Sequence, residues 1–148
     1  MEKLHYKIRI NTSKEKVWNT MLDSEKYKEW TKAFSSDSQF QGEWKQGMHI
    51  KFVDPNMGGT KAILEDVTPY HRIHAKHVAI ISKDGSEDTE SDVAKNWKGI
   101  TETYVLNEVD GFTELSIEIQ THKDYVKMFN DCWPNALELL KDICERHD

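Results

Sequence analysis

The stretch 101-TETYVLNEVDGFTELSIEIQTHKDYVKMFNDCWPNALELLKDICER-146 decides the fold. It begins with two apolar runs on either side of Asp110-Gly111, a dipeptide that closes tight hairpins because both positions accept positive φ. In the second run Leu115, Ile117 and Ile119 alternate with Glu114, Ser116 and Glu118, so one face is dry and the other wet. The period then changes from two residues to 3.6. From about Lys123 to Arg146, apolar side chains running from Tyr125 and Val126 through Trp133 and Leu137 to Cys144 cover about half the circumference of a helix. Leu139 belongs to that arc. Pro134 falls on the polar side, where its missing N–H is expected to kink the helix. An apolar arc this wide needs a concave apolar surface to lie in.

Upstream, Gly42, Gly47, Pro55, Gly58 and Gly59 punctuate short apolar runs. Strands are expected near residues 38–44, 48–53, 60–68, 71–81, 98–107 and 112–121, with Gly58-Gly59 read as a turn. At the start of the chain, Leu4, Tyr6, Ile8 and Ile10 alternate as in a half-buried strand. A helix over residues 12–22 follows, capped by Thr12 or Ser13, with Glu15 placed for a capping box with Thr12. A second short helix, 24-SEKYKEW-30, comes after Asp23. The expected architecture is an α+β helix-grip. A curved antiparallel sheet of about six to seven strands wraps the long C-terminal helix, with two short helices after the first strand. The 148 residues suit a single domain over 1–148. Such a layer pair leaves a cavity where its lining does not fill the space.

Residues 83–97 interrupt the strands with Asp84, Glu87, Asp88, Glu90 and Asp92. The plain reading is a solvated excursion; loops of this length also serve as lids or docking surfaces. A net charge of −6 argues against nucleic acid as a partner. The N-terminus lacks the apolar core of a signal peptide, and no run approaches the ~20 apolar residues of a membrane span. Cys132 and Cys144 fit no zinc spacing and lie on the apolar arc, so they are expected to be inert core thiols in a reducing, cytoplasmic setting.

His71, His74 and His77 stand at intervals of three and raise the question of a metal. On a strand, His74 points away from the other two, and His71 and His77 are about 20 Å apart at ~3.3 Å per residue. Ligands of one ion must converge within a few ångströms, so no metal site is expected. His77 shares its parity with Ile73, Ala75 and Ala79 and should face inward. Its ordinary role would be a core histidine hydrogen-bonded to a neighbour.

The order of elements, with 15-EKVWNTMLDSEKYKEWT-31, 84-DGSEDTES-91, 97-WKGITETYVL-106, 111-GFTELSIEI-119 and 133-WPNALELLKDICE-145, resembles the START-like superfamily of ligand-binding domains. More narrowly it is similar to the group related to the C-terminal domain of the activator of the heat-shock protein 90 ATPase. The resemblance covers nearly the whole chain. It implies a helix-grip with a hydrophobic cavity, in a superfamily that spans lipid carriers, hormone receptors, polyketide cyclases and allergens. The eukaryotic co-chaperone has an additional N-terminal domain that binds the chaperone, and this chain begins at the first strand of the single domain. Binding of a small apolar or amphipathic molecule is therefore the expected function. A chaperone-activator-like interaction module and a cyclase-type enzyme are the alternatives, and the chain is expected to be a monomer or weak homodimer.

The expected cavity lining is aromatic. Trp30 and Phe34 follow the short helices, at the entrance in this fold. Trp44, Ile50 and Phe52 come from the early strands, and His77 from the histidine strand. Trp97, Glu102 and Tyr104 come from the strand after the acidic segment, and Phe129 and Trp133 from the first half of the long helix. Five tryptophans are a rich supply of rings with one polar handle. Plain core packing would explain each ring taken singly. No nucleophile elbow, phosphate loop or His-x-Glu signature is present, so no catalytic residue and no cofactor is expected. Of the titratable groups, only His77, Glu102 and Tyr104 are placed inward.

Overall fold

The computed structural model describes residues 1–146. Strand β1 (Glu2–Ile10) leads into α1 (Lys14–Leu22) and α2 (Ser24–Trp30), followed by a 3-10 turn, Thr31–Ala33. Strands β2 (Gln39–Gln41), β3 (His49–Asp54), β4 (Gly58–Thr68), β5 (Arg72–Ile81) and β6 (Glu87–Asp88) come next. They are followed by α3 (Asp92–Trp97), β7 (Thr101–Val109), β8 (Phe112–Thr121) and α4 (Val126–Cys144). The strands form one antiparallel sheet in the order β1-β8-β7-β5-β4-β3-β2, with β6 beside the far end of β5. The protein is an α+β helix-grip, and α4 lies along the inner face.

The local signals explain the element ends. Ser13 caps α1 by accepting from the Lys16 N–H at 3.2 Å, so Ser13 rather than Thr12 is the cap. Asp23 ends α1 and caps α2, accepting from the Lys26 N–H at 3.0 Å. Asp110 (φ 53°) and Gly111 (φ 85°) close the β7–β8 hairpin, with Val109 opposite Phe112. A 3-10 turn, Lys123–Tyr125, precedes α4, so the regular helix starts three residues later than expected. The helix continues through Pro134, which faces solvent. Leu139, expected on the apolar arc, is 38% exposed because it lies at the arc's edge, beyond the reach of the sheet.

Two expectations are corrected. Gly58-Gly59 belongs to β4 rather than to a turn: the pair stands opposite Asp54 and Val53 of β3. A Cβ on Gly59 would lie 1.8 Å from the Phe52 carbonyl oxygen, and one on Gly58 2.3 Å from that of Ile81. Only glycine allows three strands to approach so closely here. The acidic segment is also more ordered than a solvated excursion. It contributes β6, which pairs with Ile80–Ile81, and α3, whose Ser91 cap accepts from the Ala94 N–H at 3.1 Å.

The core packs Leu115, Ile117 and Ile119 of β8 with Ile73 of β5 and Leu106 of β7 against Leu137 and Leu140 of α4. Burial of each such aliphatic side chain stabilises the fold by roughly 1.5–3 kcal/mol. On the wet face of β1 and β8, Lys3–Glu118 and Lys7–Glu114 pair at 3.7 and 3.5 Å. These exposed pairs account for the alternation more than for stability.

Candidate functional site

A cavity of about 490 Å³ lies between α4, the short helices and the inner face of β3–β7. That volume is in the range of small-molecule sites, roughly 300–1,000 Å³. Nine of the sequence-predicted residues line it: Trp30, Phe34, Phe52, His77, Trp97, Glu102, Tyr104, Phe129 and Trp133. Ile50 does not; it is fully buried in the core. Trp44 stands one layer back, between Phe40 (centroids 5.4 Å apart) and Phe52 (5.9 Å), and braces the wall.

The rings make a nearly continuous circuit. Phe52 is 5.9 Å from His77, His77 is 5.5 Å from Trp97, and Trp97 is 6.1 Å from Phe129. Across the space, Trp133 meets Phe34 at 5.2 Å and Tyr104 at 5.9 Å. Rigid rings leaning edge-to-face on one another arch over a void that flexible aliphatic side chains would fill.

The polar floor of the cavity is set by register. β5 and β7 place Ala75 opposite Glu102 and Ile73 opposite Tyr104. His77 is held by its backbone, donating to the Ile100 carbonyl at 2.8 Å and accepting from the Gly99 N–H at 2.9 Å. The diagonal across the two strands then brings His77 Nε2 to 3.3 Å from Glu102 Oε1. The Tyr104 hydroxyl donates to Glu102 Oε2 at 3.0 Å. His77 is 2% exposed and Glu102 9%. Burial first, and the Glu102 carboxylate second, push the phenols of both Tyr104 and Tyr27 far above the usual tyrosine value. Three buried nitrogens, Trp44 Nε1, His77 Nδ1 and Trp133 Nε1, have no partner among the described residues. With its proton on Nε2, His77 donates to Glu102 Oε1. A carboxylate-oriented imidazole of this kind is also the geometry of a general base.

The mouth was not legible in the sequence. Asp54, at the end of β3, reaches across it: Oδ2 accepts from the Asp37 N–H at 3.3 Å and Oδ1 from the Asn56 N–H at 2.8 Å. Asn56 Nδ2 returns a bond to Asp37 Oδ2 at 2.8 Å. The Asn56 N–H, followed by weaker donors, holds the Asp54 carboxyl below its usual range. Met57 lines the same opening and is 69% exposed. Tyr27, also on the lining, precedes Trp30 by three residues and Thr31 by four on α2, a helical spacing that would have flagged it.

The other histidines lie elsewhere. His71 sits in the turn before β5, with Nδ1 3.4 Å from Lys14 Nζ. His74 is on the opposite face from His77, with Nδ1 2.7 Å from Thr103 Oγ1. Among the described residues no three His, Cys, Asp or Glu side chains are grouped to hold a metal ion. No described helix is long and apolar enough to cross a membrane.

The sequence profile of the family described as Activator of Hsp90 ATPase homolog 1-like protein matches residues 11–145. The chain belongs to this family. Solved structures of family-like folds agree with the helix-grip. The Aha1 dimer from Colwellia psychrerythraea superposes with a TM-score of 0.74 at 20% identity, covering 98% of this chain and 97% of that one. Protein MLL2253 from Mesorhizobium loti gives 0.75 at 14%, covering 99% of both chains. CalU16 from Micromonospora echinospora gives 0.66 at 14%, covering 97% of this chain and 74% of its own. At these identities the likeness is one of fold. No curated protein matches the chain significantly.

Proposed function

We propose that this member of the Activator of Hsp90 ATPase homolog 1-like family binds a small apolar or amphipathic molecule in the cavity under α4. The observation that carries the reading is the aromatic cavity of about 490 Å³ itself, with His77, Glu102 and Tyr104 hydrogen-bonded to one another on its floor. A filled core would leave no such space. Apolar burial would supply the affinity, and His77, Glu102, Tyr104 and Trp133 would set the orientation. The test is a titration with an apolar fluorescent probe, read by energy transfer from tryptophan, in the parent, Trp133→Ala and Phe129→Ala. Saturable binding at one site, changed by both substitutions while the fold persists, supports the reading. No saturable binding refutes it.

The family match favours a second reading, a surface that docks to or stimulates a chaperone. Stimulation of the chaperone's ATPase that disappears when Asp84, Glu87 and Asp88 are neutralised would support it. Absence of any complex would end it. A weak homodimer fits the dimeric relative and would appear as concentration-dependent mass in sedimentation.

A further inference from the structure

Resting on the cavity-binding reading, we propose that the cavity prefers amphipathic cations, molecules that join an apolar body to one ammonium group, over carboxylates and neutral alcohols of the same shape. The ammonium is placed at Glu102. Among the described residues the lining contains no lysine or arginine, and Glu102 stands on the floor with Asp54 at the mouth. Glu102 points inward from β7, which lies between β5 and β8, so strands close both of its flanks. Its side chain still keeps 11% exposure, and that surface opens on the cavity. A carboxylate offers about four lone-pair positions. His77 Nε2 takes one on Oε1 and the Tyr104 hydroxyl one on Oε2, which leaves each oxygen able to accept again. An ammonium brings donors for those positions and the charge that matches them.

The bonds around Glu102 hold it as an acceptor without neutralising it. His77 Nδ1 is buried and has no partner among the described residues. A protonated Glu102 donating to Nε2, or a doubly protonated His77, would put an N–H on Nδ1 with nothing to accept it, a costly orphan in a buried place. The arrangement that avoids this is a carboxylate accepting from a neutral imidazole and from a phenol. Its charge reaches the neighbours: after burial, Glu102 is the next cause that raises the phenols of Tyr104 and Tyr27. An entering carboxylate would meet that charge in a poorly solvated space with no cation to pair it. An entering ammonium would meet a counter-ion and a wall of rings. The two groups bonded to Glu102 lean on indoles, His77 on Trp97 at 5.5 Å and Tyr104 on Trp133 at 5.9 Å between centroids, and both indoles line the cavity. Among side-chain rings, indole attracts a cation best.

The test uses three probes of one shape at neutral pH: 2-naphthylmethylammonium, 2-naphthylmethanol and 2-naphthoate. Binding to the intact chain is measured by titration calorimetry. Expected is the ammonium binding more than about tenfold tighter than the carboxylate and more than about threefold tighter than the alcohol. In Glu102→Gln, which keeps the shape and removes the charge, the ammonium should lose its lead over the alcohol. The comparison of the three probes in the parent protein needs no variant and stands if Glu102→Gln fails to fold. An alcohol or a carboxylate that equals the ammonium in the parent overturns the inference while cavity binding survives. A lead that persists in Glu102→Gln overturns the placement of the ammonium at Glu102. No saturable binding of any of the three overturns the reading beneath it.

Discussion

The two halves of α4 do different work with similar raw material. After Pro134, Ala136, Leu137, Leu140, Ile143 and Cys144 are buried. Polar bonds stitch this half at its end: Lys141 Nζ donates to the Arg9 carbonyl, and Glu145 accepts from the Asn11 N–H. Before Pro134, Met128, Phe129 and Trp133 border the cavity, and Tyr6 of β1 reaches this half by stacking on Trp133 and by donating its hydroxyl to Asn130 Oδ1 at 2.6 Å. Small and branched side chains close on one another and leave no space. Large planar ones brace one another at 5–6 Å and enclose it. The lesson is that one amphipathic arc can serve as core at one end and as a wall at the other, with ring size deciding which.

The sharpest way to break this contrast is to truncate each half in turn. Leu140→Ala should cost about 2–5 kcal/mol in denaturant unfolding, because the fully buried side chain leaves a new hole among close-packed neighbours. Probe binding per folded molecule should be unchanged. Phe129→Ala should cost less than about 3 kcal/mol, below the usual range for losing a buried ring, because its ring already borders open space. Equal costs at the two positions would erase the distinction.

A smaller effect should appear at high pH. The phenols of Tyr27 and Tyr104 are raised in the folded state. Their contribution is complete below the unfolded tyrosine value near pH 10 and is lost as pH rises toward the folded values, because only the unfolded chain ionises there. Stability should fall by about 1 kcal/mol per pH unit for each phenol above that point. The part of the tyrosinate absorbance that is lost in Tyr27→Phe and Tyr104→Phe should appear only with unfolding, and Tyr27→Phe should shallow the slope. If that part rises on the intact fold, these phenols are not buried.

The smallest effect separates the thiols. Cys144, fully buried beside α1, is pushed up to about 11 by burial, and the partly buried Cys132 is also raised, by burial first and the Asp131 charge second. A chromogenic disulfide at neutral pH should modify Cys132 first and Cys144 only on unfolding. Simultaneous modification would mean that the second half opens as readily as the first.

What the sequence revealed was periodicity. Alternation in β8, Asp110-Gly111 and the arc of α4 are local signals, so the helix-grip followed from them. Parity placed His77, Glu102 and Tyr104 on the inner face, and register then brought them into contact. Two kinds of feature stayed hidden. The first depends on depth along the sheet: Ile50 and Phe52 share a face, yet Ile50 is core and Phe52 is wall. The second depends on distant chain segments meeting, as Asp54 does with Asp37. The helix α3 was masked by its charges, although Ser91 three residues before Ala94 is a capping signal.

The clasp at the mouth bears on time rather than on strength. Asp54 joins the segment after α2 to the β3–β4 turn through single hydrogen bonds, and its carboxylate touches the rim and not the floor. A molecule that enters between Asp54 and the segment after α2 would part these bonds, and they would re-form behind it. Removing them lowers the barrier equally in both directions, so association and dissociation should quicken together while their ratio holds. Residence would then be set at the rim and selection at the floor, and stopped-flow traces of Asp54→Ala would separate the two.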